Sequence, residues 1–236
     1  MASFYPGNVA DHEVYQLTSA TLDPVAEIGD LLIVSNYATV HARNLVVACF
    51  GQHLFARRYN LVDAHPGIVV LTGQSVDPTA MPEPVIVSKE TAQMKKIVGT
   101  VFTRHTLPIP PFEEGREVAP VGDGASLNKL LDGARLLEVR GRSAEPIALN
   151  GQFLITRNIM KTAPEIKTLD GRPVVAVDED GTRYFKRLQC SGQIAILESL
   201  NPDGTTASEL LTFDDSLSLP KITHALEVIG VLFELP

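Results

Sequence analysis

Cysteine, basic charge and long apolar runs are all scarce in this chain. Cysteine occurs twice in 236 residues, as Cys49 and Cys190, each inside a strand-like run. Two cysteines cannot form a disulfide framework, nor a zinc site by themselves. Buried apolar thiols in a reduced, cytoplasmic compartment are the simplest reading. Lys and Arg number 20 against 28 Asp and Glu, a net charge of −8. That balance argues against a broad face gripping nucleic acid, which needs clustered basic residues. The longest uncharged stretches, around Leu31–Val40 and Asn44–Ala56, run to about a dozen residues. A membrane span needs roughly 18 to 20, so none is expected. The opening Met1-Ala-Ser-Phe-Tyr-Pro-Gly7 has no basic n-region or apolar core, so no signal peptide is expected either. None of the six histidines has the spacing of a metal site, and no metal or cofactor is anticipated.

What is present reads as globular: 44% apolar and 20% charged. The length fits one large domain or two small ones. Short runs rich in Val, Ile, Leu and Phe recur along the chain, punctuated by Gly, Pro, Asn or Asp. Examples are Leu31–Val34, Leu45–Phe50, Gly67–Leu71, Ile97–Phe102, Phe153–Ile155, Pro173–Val177, Arg183–Leu188 and Glu227–Phe233. Asp178-Glu-Asp180 before Gly181 reads as a hairpin turn. Helical signals are few; the best is Ser126–Gly133, with Ser126 as N-cap and Gly133 just past the end. The expected class is all-β with few short helices.

Between residues 105 and 133 the texture changes. Pro108, Pro110, Pro111 and Pro120 fall here with Glu113, Glu114 and Glu117. Proline forfeits a ladder hydrogen bond in a central strand, so this stretch is expected to be a linker or surface excursion.

The segments on either side resemble each other. Thr21-Leu-Asp-Pro24 before Gly29-Asp30 matches Ser143-Ala-Glu-Pro146 before Gly151-Gln152, with the same spacing from hydroxyl to glycine. Leu45–Ala48 matches Pro173–Ala176, Phe55–Arg58 matches Phe185–Leu188, and Asp77-Pro78 matches Asn201-Pro202. Ile97-Val-Gly-Thr-Val-Phe102 matches Val228-Ile-Gly-Val-Leu-Phe233. Matches in one order at similar spacing argue for an internal duplication. The expected layout is a β domain over 13–104, the Pro-rich linker over 105–133, and a second β domain over 134–236.

The order Arg142-Ser-Ala-Glu-Pro146, Gly151-Gln152, Val174–Val177, Tyr184-Phe-Lys-Arg-Leu188, Asn201-Pro202 and Val228–Phe233 resembles the LexA/UmuD-like serine peptidases. These include the C-terminal domains of phage repressors. The resemblance covers the second half and, more weakly, the first. It implies Ser143 as nucleophile and Lys186 as general base. A serine hydroxyl needs a neighbouring base, and a lysine serves only when neutral, which desolvation favours. Strand alternation puts Lys186 on one face with Tyr184 and Leu188. The turn holding Ser143 can point backbone N–H groups at an oxyanion.

The first copy reads as degenerate. Thr21 stands for Ser143, and Ala56 or Arg57 stands for Lys186, depending on a one-residue gap near Phe50. No lysine precedes Lys89, and arginine cannot act as a neutral base.

The chain departs from the family in two places. Ala144 stands where Met is usual, and there is no Ala-Gly or Cys-Gly dipeptide, the bond that self-cleaving members cut. The segment corresponding to the cleavage region, around Pro108–Pro111, could lie in a cleft as an extended strand.

The expected function is a LexA-like hydrolase of a bacterial or phage transcription regulator, in the manner of the SOS response, cutting a peptide bond in its own chain or in another protein. The alternative is a non-catalytic peptide-binding or oligomerisation module. Expected partners are a peptide segment and a regulator or co-protease protein, with no direct nucleic acid contact. The two C-terminal strands are expected to make a pseudo-dimer or homo-oligomer, which would protect apolar edges.

Overall fold

A computed structural model of the chain describes residues 2–3, 11–103, 106–111, 113–142, 144–201, 206–215 and 217–234, save for the side chains of residues 2, 3, 124 and 125. The fold is mostly β. Two short α-helices, α1 (Gly124–Leu130) and α2 (Ala163–Lys167), are found among the described residues. None of the described helices is long and apolar enough to cross a membrane. By backbone proximity residues 11–132 fall in one compact unit and residues 133–233 in another.

Strand β1 (Ala2–Ser3) belongs to the second unit. The first unit holds β2 (His12–Leu17), β3 (Leu31–Ser35), β4 (Leu45–Phe50), β5 (His53–Leu61), β6 (Ile68–Thr72), β7 (Val85–Ser88), β8 (Gln93–Val101) and β9 (Val118–Asp123). Its spatial order is β9-β2-β3-β8-β4-β5-β6-β7, antiparallel throughout. The second unit adds β10 (Arg135–Glu138), β11 (Phe153–Met160), β12 (Pro173–Asp178), β13 (Arg183–Ser191), β14 (Ile194–Glu198), β15 (Glu209–Thr212) and β16 (Ile222–Leu232). Its order is β1-β10-β11-β16-β12-β13-β14-β15, again antiparallel.

The two orders are the same path. Detail repeats as well as topology. In the first unit Ile33 faces Gly99, and the register then slips by one residue of β8. In the second Ile155 faces Gly230, and the same slip follows in β16. Such a bulge kinks a strand and raises its twist. The turns after β2 and β10 also agree. Leu17 donates to Asp30 O and accepts from Gly29 N–H; Val139 donates to Gln152 O and accepts from Gly151 N–H. Each turn carries a cis X–Pro bond, at Asp23–Pro24 and Glu145–Pro146.

The central strands read as unbroken apolar runs because both their faces are covered. All five residues of β3 are buried, as are Val174 to Asp178 of β12. Val46, Ala48, Val69, Leu71 and Val87 pack together in the first unit. Val174, Ala176, Leu188, Leu197 and Leu211 do so in the second, where α2 adds Ile166.

Two expectations need correction, and one helix was not foreseen. Residues 118–130 are not linker. They form β9 and α1, and Pro120 is accommodated because β9 pairs with β2 alone, beside a register shift. The helix N-cap is Asp123, whose carboxylate accepts from Ser126 N–H, rather than Ser126 itself. Helix α2 carries no long apolar period. It is started by a capping box, with the Thr162 side chain and Glu165 satisfying each other's backbone donors.

Candidate functional site

In the second unit a cleft of about 560 Å³ opens between β10 and β13. Its walls include Leu137, Val139, Arg140, Ala144, Tyr184 and Lys186. By the alternation of β13, Lys186 and Leu188 are both buried, and Leu188 sits in the core cluster. Lys186 is 6% exposed. Its ammonium donates to Ala207 O and has Glu209 Oε1 at 3.9 Å.

Ser143 lies outside the described residues. Its neighbours do not. Ala144 is buried and lines the cleft. Arg142 O accepts from Glu145 N–H at 3.2 Å and from the Asn201 carboxamide at 3.2 Å. Ala148 donates to Ala144 O, and Asn150 Oδ1 holds Gly141 N–H. The turn between β10 and β11 is thus pinned from inside and from the loop after β14. Asn201 was legible in the sequence only as a repeat marker; its role in holding this turn was not.

In the first unit the degenerate counterparts can be placed by register. Val46 faces Arg57 and Val174 faces Lys186, so Arg57 is the counterpart of Lys186 and Ala56 is not. The match of Phe55 with Phe185 is out by one residue: Phe55 faces Ala48, whereas Phe185 faces Val175. The hairpins differ in length. Phe50 pairs with His53 in the first, whereas Val177 and Arg183 enclose a longer turn in the second. That turn is the expected one, with Asp178 Oδ1 accepting from Asp180 and Thr182 N–H.

Arg57 is 5% exposed and pairs with Glu117, 8% exposed. Its Nε lies 3.0 and 2.9 Å from the two Glu117 oxygens, and Ala56 N–H donates to Oε2 at 3.0 Å. Arg57 also donates to Glu83 O. Thr21 is 2% exposed, and its hydroxyl has no hydrogen-bond partner among the described residues.

The space matching the open cleft is filled here. Residues 115–117 run between β5 and β2. Leu54 N–H donates to Gly115 O at 3.0 Å, Glu117 N–H to Leu54 O at 2.8 Å, and Thr18 N–H to Glu117 O at 2.9 Å. Beyond that point β9 pairs with β2 from Val118 to Asp123. The chain's own segment therefore plugs the first cleft as an added strand. Glu117 was legible only as one of several acids in a proline-rich stretch. Its partner lies 60 residues away, and no local pattern marks such a pair.

No family model matches this chain, and no curated protein and no solved structure matches it. Fold and site define a mostly β protein made of two copies of one strand path, one cleft plugged and the other open around a buried lysine.

Proposed function

We propose that the second unit is a LexA-like Ser–Lys amide hydrolase and that the first is its non-catalytic copy. The observation that carries this reading is Lys186: a lysine buried in the wall of an open cleft that Ala144 also lines. The neutral Lys186 amine takes the Ser143 hydroxyl proton as the oxygen adds to the peptide carbonyl. The proton then passes to the departing amine, leaving an acyl-serine that water hydrolyses. Backbone N–H groups of the 142–144 turn would stabilise the oxyanion. The cytoplasmic regulator setting, with a co-protease partner, is proposed on the sequence resemblance alone.

The test is incubation of the full chain, alone and with a mixed peptide substrate pool, from pH 7 to 10. Mass spectrometry should show discrete cleavage whose rate rises with pH, as a reaction needing a neutral base does. Ser143→Ala and Lys186→Ala should each lower the rate about a thousandfold or more. Intact chain and intact peptides at pH 9–10 would instead support a peptide-binding module. The plugged first cleft favours that second reading, because it shows this architecture holding a strand without any catalytic pair.

A further inference from the structure

The duplication lets one cleft be read from the other. In the first unit three backbone groups hold the plug: Leu54 N–H, Leu54 C=O and Thr18 N–H. Leu54 faces Cys49 just as Arg183 faces Val177, one pair before the Ala48–Phe55 and Ala176–Tyr184 pairs. Thr18 follows Leu17 as Arg140 follows Val139, and those two residues make the same turn bonds. Arg183 and Arg140, which carry the counterparts of all three groups, line the open cleft. The side chain that seals the first cleft is Glu117, on Arg57. The counterpart of Arg57 is Lys186, also a basic residue and also buried, in the wall of the open cleft.

We infer that the open cleft is a binding site for an extended acidic peptide. The peptide runs antiparallel to β10, and a glutamate carboxylate engages Lys186 as Glu117 engages Arg57. The occupant pairs its backbone with Arg183 and Arg140, which fixes direction and register without regard to sequence. The carboxylate supplies the selectivity. Strand β1 already uses the outer part of this lane: Ala2 and Ser3 pair with Leu136 and Arg135. In the first unit, Gly122 and Asp123 pair with the corresponding Val14 and Glu13. A peptide lying in this cleft covers the Lys186 amine, so such a peptide blocks the site. That consequence rests on the hydrolase reading proposed above; the binding itself does not.

The probe is a fluorescein-labelled peptide with the sequence of residues 115–121, Gly-Arg-Glu-Val-Ala-Pro-Val, titrated into full-length Ser143→Ala protein. Saturable binding is expected, weakened about tenfold or more when the peptide's Glu is replaced by Gln. In Lys186→Met protein the two peptides should bind alike. Absence of saturable binding to Ser143→Ala protein overturns the inference, as does equal affinity for the Glu and Gln peptides. A Glu preference that survives Lys186→Met overturns the assignment to this cleft. If Lys186→Met fails to fold, the Glu-to-Gln comparison on Ser143→Ala protein still decides the matter. Peptide binding with no hydrolysis by the wild-type chain would remove the hydrolase reading and leave the acidic-peptide site standing. Hydrolysis of a reporter, unaffected by saturating Glu peptide, would do the reverse.

Discussion

Arg57 and Lys186 occupy one position of one strand path and face opposite situations. Arg57 meets a carboxylate that is itself buried, with the Ala56 N–H also donating to it. Removing one partner leaves an uncompensated charge away from water. Glu117→Ala should therefore lower unfolding free energy by about 3–5 kcal/mol in urea titrations, whereas Arg57→Met with Glu117→Leu should cost much less. A small loss in the single variant would show that the pair is solvated. Cys190 offers a second check at this scale. Burial first, and the Asp170 carboxylate next, push its thiol up to about 11. At pH 8 only about one thiol in a thousand is ionised at such a value, so Cys190 should react slowly with iodoacetamide in the folded protein. Asp170→Asn should speed that reaction, read by mass spectrometry.

The plug is the element whose behaviour can be tested apart from chemistry. It enters through Gly115, at φ +78, where a Cβ would meet His53 Nδ1 at 2.2 Å. Gly115→Ala combines left-handed strain of about 1–2 kcal/mol with that clash. It should loosen the segment and make trypsin cut after Arg116 several-fold faster; an unchanged rate would show that the strand is not held at this end. On β2, Tyr15 donates to Glu13 Oε2 at 2.7 Å. Burial, and then this bond, raise the Tyr15 pKa above its ordinary value. A raised folded pKa gives stability that is present below the unfolded value near 10 and is lost as pH climbs beyond it. Thermal melts should hold steady to about pH 10 and fall above it, and Tyr15→Phe should flatten that fall. Much at this scale was legible. Alternation placed Lys186 with Leu188, and the Asp178–Gly181 turn carried its own signature. Strand β9 was not, because Pro120 reads as a breaker unless one knows that only one side of the strand needs partners.

For the whole molecule, the repeated motifs of Ile97–Phe102 and Val228–Phe233 lead us to propose, from sequence, that the copies associate within one chain. Sedimentation should then return the mass of a single chain at every concentration; a mass that doubles as concentration rises would replace this with pairing between chains.

The sequence by itself determined the β class, the duplication and the asymmetry in lysine. These are properties of local pattern: apolar runs, turn residues, and a motif order that recurs. Tertiary structure alone decided that Arg57, not Ala56, answers to Lys186. Strand register depends on hairpin length, and the two hairpins differ in length. It alone decided that one cleft is plugged and the other open. The plug is held by backbone bonds and by an ion pair between residues 60 positions apart, and contacts of that reach leave no mark on either segment when it is read alone.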